Sequence, residues 1–360
     1  MRIAFIGDLA FFGKNSLEYN PSAADYFKPV ANLLKDFDYV VGNLETPFVS
    51  DQKPYAPKSA HIKSSIQNVE LLKLLNIDLV TLANNHVYDF GQGSLDLTCN
   101  TLKEHGIEFI GINDKEFDLD LDCNKLSFHG YCCYSTHPIG MDKGVNVLDI
   151  GTVENRLDAK NKAGYFCILN LHFGQEHVHT PNYDHVEMCR QFSDNYKCLI
   201  VGHHPHVIQG IEEYNGNYIA YSLGNLCFDD VYSKAMKDPI FTMSEFNKKS
   251  FIWDVTIEKN KVIRQEAIPI YLGDKALELG NKKILEELDS YSKELQKPKE
   301  QYVAERSTYL SSFFKNRIKS NNFMWFITRL RYDTYKRYKK AKNNKALYKK
   351  YITNKLNNTV

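Results

Sequence analysis

An α/β fold built on a largely parallel sheet is what this sequence predicts, and three observations carry the prediction. Over the first 230 residues, short β-rich apolar runs alternate with longer stretches of helical spacing. The runs are nearly continuous in Val, Ile, Leu, Phe and Tyr, as strands buried on both faces should be. Six of them end in Gly, Asn, Asp, Glu or His. Strands alternating with helices make βα units, and ligands of open α/β sheets bind just outside the carboxyl ends of the strands.

Taken in chain order, the expected strands are 2–6, 39–41, 79–82, 108–112, 167–171, 199–201 and 218–221, with helices among them at 66–75, 94–105 and 185–196. From Phe251 the pattern changes. Segments 251–257, 261–265 and 267–271 read as an antiparallel meander, with Glu258-Lys259-Asn260 as a hairpin turn. The α/β body is expected to span 1–272. Residues 273–360 hold helix formers, many Lys and Tyr and a single proline, Pro298, and are expected to form a peripheral helical basic extension.

Composition narrows the function. With 43% apolar and 25% charged residues among 360, the chain is long enough for one large core or a core plus a smaller module. A net charge of +1 gives the whole molecule no field that points to a polyanion. No run of 18 apolar residues is present, and the N-terminal run Met1–Gly7 is too short for a signal peptide, so a cytoplasmic location is expected. The eight cysteines form no CxxC pair, which fits reduced thiols in that compartment.

The strand ends carry the chemistry. Gly7-Asp8, Gly42-Asn43-Leu44-Glu45, Ala83-Asn84-Asn85-His86, His172-Phe173-Gly174-Gln175-Glu176, Gly202-His203-His204-Pro205-His206 and Ser222-Leu223-Gly224-Asn225 would converge on one sheet edge. His204 and His206, read as one extended segment, point the same way and can bind one metal or two adjacent ones. Together with His172, Asp8 and Glu45 they make a mixed N/O donor set suited to a divalent Mn, Zn or Fe ion. Such an ion activates water and stabilises charge on a phosphoryl or carbonyl oxygen. His86, next to the ligand candidate Asn85, is placed to act as an acid or to hold an oxyanion. A single His or Asp at a strand end is ordinarily a satisfied polar residue or a helix cap. Here six strand ends agree, and seven of the twelve histidines lie between 172 and 206. His203, His177, His179 and His185 are read as loop or supporting residues. The spacing from His172 through Glu176 to His177 superficially matches a helical zinc-protease motif, but it follows a strand and contains Gly174, which excludes helical i, i+4 geometry.

At these residues the sequence resembles the CapA-type family of bacterial capsule and poly-γ-glutamate synthesis proteins, within the calcineurin-like metallophosphoesterase superfamily. The blocks Gly42-Asn43-Leu44-Glu45-Thr46-Pro47, Asn84-Asn85-His86-Val87-Tyr88-Asp89, His172-Phe173-Gly174-Gln175-Glu176 and His204-Pro205-His206-Val207 carry the likeness across residues 2–272. The resemblance implies a four-layer α/β/β/α sandwich. It implies one or two metal ions held by Asp8, Asn85, His172, His204 and His206, with His86 as the acid or transition-state residue. Asn43 and Glu45 stand where the superfamily places its metal-bridging acid. The superfamily also carries a His two residues after its first Asp, and this chain has Ala10.

The expected function is a metal-dependent hydrolase of capsule or surface-polymer biosynthesis, acting on a phosphoester of a surface-polymer precursor or a phosphorylated small molecule. Glu45 and Glu176 would complete the site as ligand or base, and Asn225 and Asp229 would position substrate or orient ligands. The loss of a His at Ala10 motivates one alternative, a non-catalytic metal- or polymer-binding scaffold; a third reading is transferase or ligase assistance in polymer assembly, with the metal gripping a phosphate or carboxylate. Between 315 and 355 fourteen Lys and Arg meet one acid, Asp333, so the body is net acidic. This tail also contains Phe323-Met324-Trp325-Phe326-Ile327. Two readings stand: an interfacial helix that holds the protein peripherally at the anionic inner membrane face, and a helical hairpin packed on the body. No nucleic-acid partner is expected, since no known module is present.

Overall fold

The computed structural model describes residues 1–55, 58, 60–135, 137, 144–232, 239–319, 339, 342–343 and 345–347. The basic segment 315–355, with Trp325 and Phe326, lies largely outside the described residues. Two sheets stack face to face. The first contains β1 (Arg2–Leu9), β2 (Tyr39–Leu44), β3 (Leu79–Thr81) and β4 (Glu108–Ile110), all parallel. The second contains β5 (Phe117–Leu121), β6 (Asn124–Cys132), β7 (Phe166–His172), β8 (Cys198–His203), β9 (Ile211–Tyr214) and β10 (Asn217–Ala220), in the order β5-β6-β7-β8-β10-β9. β6, β7, β8 and β10 are parallel, and the edges β5 and β9 are antiparallel hairpin partners.

β11 (Asn225–Cys227) returns to pair with β1, in parallel. A small hairpin follows, β12 (Val231–Tyr232) with β13 (Pro239–Phe241). β14 (Lys249–Glu258) pairs antiparallel with the first half of β1 along the same edge as β11, and β15 (Lys261–Leu272) and β16 (Leu277–Leu279) extend the first sheet.

Period-2 alternation sorts each strand between two cores. In β1, Ile3 and Phe5 face the second sheet and pack with Val41, Leu79, Phe128, Ile168, Val201 and Trp253. Ala4 and Ile6 face outward, onto α1 (Ala23–Leu34), α2 (Val69–Leu74) and α3 (Gln92–Glu104). On the far side, Leu169, Leu171 and Ile200 meet Val153 and Leu157 of α4 (Ile150–Lys162) and Val186 and Phe192 of α5 (Tyr183–Asn195). The result is the four-layer α/β/β/α sandwich. Each fully buried side chain of the intersheet layer, such as Phe5 or Phe128, contributes about 2 kcal/mol of burial free energy.

The hairpin β5–β6 has no counterpart in the sequence reading, although β6 is the central partner of β7. Its sequence, Asn-Lys-Leu-Ser-Phe-His-Gly-Tyr-Cys, interrupts the apolar run with Lys, His and Gly. Segments 261–265 and 267–271, expected as two strands, are one strand, β15, turned from β14 through Lys259 (φ 51°) and Asn260 (φ 59°). Beyond Leu272, α6 (Lys282–Glu294) places Ile284 and Leu288 in the intersheet core, and α7 (Lys299–Lys319) buries Tyr302 against the α4–α5 layer. The Tyr302 hydroxyl donates to Pro181 O at 2.8 Å and Arg306 Nε to Thr180 O at 3.0 Å. The segment from 282 to 306 therefore packs on the body. Among the described residues no helix is long and apolar enough to cross a membrane, and all eight cysteines are free.

Candidate metal centre

Both sheets deliver their polar strand ends to one edge. β1 ends in Asp8 and β2 in Asn43 with Glu45 just beyond; β7 ends in His172, and β8 runs into the His203–His206 loop. Close backbone approach makes this possible: a Cβ on Gly202 would sit 1.9 Å from Tyr221 O, and one on Gly7 2.3 Å from Gly224 O. Only glycine fits there. The histidine loop itself is strained rather than extended as the sequence suggested. His204 (φ 97°) and His206 (φ 57°) both occupy left-handed backbone, a conformation that costs on the order of 1–3 kcal/mol per residue and clusters at functional sites. The bend around Pro205 sends the two imidazoles to different places.

Glu45 lies between them. Its carboxylate shares one cluster with His172 and His204 and a second with Asp8 and His206, the ligand atoms of each cluster lying within 4.8 Å of one another. Glu45 Oε1 is 3.6 Å from His206 Nε2 and 4.0 Å from His172 Nε2. The carboxylate is fully buried, and neither oxygen has a hydrogen-bond partner. His204 Nδ1 is likewise buried and unpartnered. Buried polar atoms are almost always paired, so orphaned carboxylate and imidazole atoms facing one another fit a divalent cation of the Zn, Mn or Fe kind.

Charge holds Asp8, His172 and His204 in ligand form, whereas Glu45 and His206 keep a proton that a bound cation would have to displace. Burial alone would lower His206, but the Glu45 and Asp8 carboxylates raise it to about 10. Burial alone would raise the Asp8 pKa, but hydrogen bonds from His203 and His206 hold its carboxyl well below the usual carboxylate range. Burial pushes Glu45 up to about 8 and depresses His204 to about 4. His172 is held well below the ordinary imidazole value, again by burial. At Glu176, burial acts upward, yet the neighbouring His204 and His206 bring it down to about 2.

The remaining residues separate into orienting groups and cleft-facing groups. The Asn43 amide donates to Asp8 Oδ1 at 2.8 Å and accepts from Asn84 at 3.3 Å; it braces the cluster through hydrogen bonds. Asn85 Oδ1 lies 2.9 Å from His172 Nε2. Asn225 Oδ1 lies 2.9 Å from His206 Nδ1, so it orients a ligand. Asp229 accepts from the Lys14 backbone N–H at 2.8 Å and is not among the residues that line the cleft. His86 does line it, with Nδ1 fixed 2.7 Å from Asp89 Oδ2, and Lys58 Nζ reaches Asp89 Oδ1 at 3.0 Å and Asn85 O at 2.7 Å. The cleft, of about 1080 Å³, also takes in Glu176, His177, His204 and His206.

Sequence reasoning underrated His203 and missed Lys58 and Asp89 as members of this network. His203 is buried with Nδ1 3.2 Å from Asp8 Oδ1. Its signal was its place at the end of an apolar strand, which it shares with His172. Ala10, where the sequence resemblance leads us to look for a His, is packed among Ile62, Phe228 and Val231.

A family model for bacterial capsule synthesis protein PGA_cap matches residues 2–230. The chain belongs to the PGA_cap family. That match takes in every strand end that builds the centre. The chain is 28% identical over 281 residues to the PGA biosynthesis protein CapA of Bacillus subtilis (strain 168), covering 74% of this chain and 70% of the relative. It is 25% identical over 299 residues to the capsule biosynthesis protein CapA of Bacillus anthracis, covering 74% and 72%. Among solved structures it is similar to a hypothetical protein from Thermus thermophilus, with a TM-score of 0.46 and 11% identity over 75% of this chain and 98% of that one. It is similar also to the sulfate thiohydrolase SoxB of the same genus, with a TM-score of 0.41 and 11% identity over 83% and 61%. Likeness of that degree assigns no activity.

Proposed function

We propose that this PGA_cap protein is a metal-dependent hydrolase acting in bacterial capsule or surface-polymer biosynthesis, with a phosphoester as its substrate. The observation that carries the proposal is the buried, unpartnered Glu45 carboxylate shared by two N/O donor clusters. Asp8, Glu45 and His206 would hold one cation, and Glu45, His172 and His204 a second, with Asn85 beside it. When bound, such ions lower the pKa of water and neutralise charge on a phosphoryl oxygen. The chain's own groups then do the rest. Asp89 accepts from His86 Nδ1 and so fixes the ring; burial and Lys58 lower the pKa of His86, so its other nitrogen first takes a proton from water and then donates it to a leaving oxygen. Lys58 offsets the Asp89 charge and so limits its pull on the imidazole. Glu176, ionised at the cleft wall, orients water by accepting its hydrogen bond.

A second reading, a scaffold that binds metal or polymer without turnover, is favoured by one observation, the apolar packing of Ala10. Hydrolysis of p-nitrophenyl phosphate and bis-p-nitrophenyl phosphate with added Mn²⁺ or Zn²⁺ separates the two. Metal-dependent turnover that falls by about 10²–10⁴ in His86→Asn, with metal content retained, supports the hydrolase. Bound metal with no turnover of either ester supports the scaffold.

A further inference from the structure

The cleft is far larger than a phosphoryl group and the cations need, and its walls differ. Where it borders the second sheet, α5 and its preceding loop contribute the polar Asn182, Asp184, His185, Glu187 and Gln191, with Met188 and Ile150 of α4 as the apolar members. Where it borders the first sheet, beyond Lys58, Asn85 and His86, it is lined by an apolar run in which Ala60, Ile240 and Phe241 are half-buried and Ile62, Phe228 and Val231 lie buried beneath them. This second wall begins at the metal centre itself: the Phe228 ring lies 4.6 Å from that of His206. It continues through Phe241, which stacks on His177 at 4.7 Å and 12° and meets Phe228 edge-on at 6.2 Å. Ile240 and Phe241 sit half-exposed on β13, facing the cleft rather than sealed into the core.

We infer that the apolar wall of β11–β13 binds a hydrocarbon chain esterified to the phosphate held at the metal centre, so that the substrate is an amphiphilic phosphoester. The inference rests on the phosphoester reading above. Two features choose this occupant. The cation centre is complementary to an anionic head group, and the apolar surface is continuous with it through Phe228 against His206. A sugar on the same wall would leave its hydroxyls facing Ile62, Phe228, Val231, Ile240 and Phe241 without hydrogen-bond partners, and unpaired polar groups are costly to bury. Hydroxyl-rich groups find their partners at the α5 wall.

The test is calorimetric binding of an n-alkylphosphonate series, methyl to decyl and below micelle-forming concentrations, to Mn²⁺-loaded full-length protein. Methylphosphonate reaches only the metal centre and is the reference for each variant. Affinity should rise by up to about fourfold per added methylene while the chain lies on the wall. The rise should be largely lost in Phe241→Ser and Ile240→Ser and kept in Phe241→Leu, which retains apolar area. Methylphosphonate binding with no dependence on chain length overturns the inference and leaves the phosphoester reading standing. A hexosyl phosphonate binding more tightly than the decyl compound also overturns it, by giving the wall to a sugar. Binding of no phosphonate by metal-loaded protein overturns both.

Discussion

Glu45→Gln should move the stability of the protein in opposite directions depending on metal. In metal-free protein, the Glu45 carboxylate is fully buried and neither oxygen is hydrogen-bonded. Replacing it with a neutral amide of the same shape removes a desolvation cost of about 2 kcal/mol. Unfolding entropy of about 2.1 cal/mol/K per residue over 360 residues converts each kcal/mol to roughly 1.3 °C, so metal-free variant should melt about 2–3 °C above metal-free wild type. The sign with pH follows from the raised pKa. The folded carboxyl, pushed up to about 8, keeps its proton where the unfolded chain has lost it, so the wild type loses stability as pH rises from about 4.5 towards 8. The advantage of the variant should therefore be larger at pH 8 than at pH 5. With Mn²⁺ or Zn²⁺ at a hundred times its Kd, the wild type gains about 2.7 kcal/mol, or roughly 3–4 °C, and the variant, without the shared ligand, gains little. Differential scanning calorimetry reads both effects. A metal-free variant that melts several degrees below wild type, or one that keeps the full metal-induced gain, refutes the reasoning.

Three further predictions concern the scaffold around the centre. Arg190 holds the buried Glu212 carboxylate at 2.7 Å and the Leu295 carbonyl at 2.8 Å; Arg190→Met should cost about 3 kcal/mol in a denaturant titration, and a loss under 1 kcal/mol contradicts the assignment. His129, buried in β6 beside Ser127 and 3.6 Å from Glu116, is lowered by burial to about 4. The folded state therefore refuses a proton that the unfolded chain takes up near 6.5, and about 2 kcal/mol of stability should be lost between pH 6.5 and 5. His129→Gln should flatten that part of the pH–stability curve, and an unchanged slope counts against it. Truncation after Leu272 strips away the apolar residues Ile284, Leu288, Leu295 and Tyr302, so the shortened chain should aggregate or lose its cooperative thermal transition. A monomeric, cooperatively melting 1–272 fragment would show that α6 and α7 are dispensable.

Much of this was readable in the chain because parallel strands buried on both faces leave long apolar runs, and because the runs at β1, β2, β3, β7 and β8 each stop abruptly in ligand-type residues. β6 was not readable. Its Lys125, His129 and Gly130 break the run, and its partners β5 and β7 lie on either side in the sheet, a relation that local pattern does not encode. The donor set was legible as a list of residue types, whereas its division of labour was not. That Asn43 and Asn225 spend their amides bracing Asp8 and His206, while Glu45 stands unpartnered between two imidazole groups, depends on distances across both sheets. The left-handed turns at His204 and His206 were also hidden, since nothing in His-Pro-His dictates positive φ. Lys58 reaches the His86–Asp89 pair from a distant loop, and only the fold brings them together.

The most direct test of the central claim is elemental analysis of purified protein, wild type against the double variant His204→Ala/His206→Ala. Each substitution removes one imidazole from one of the two clusters that share Glu45. A transition metal bound near stoichiometry in the wild type and absent from a folded double variant is the predicted result. A wild type that holds no metal even after reconstitution with Mn²⁺, Zn²⁺ or Fe²⁺, or a double variant that holds as much as the wild type, contradicts the metal centre and the hydrolase built on it.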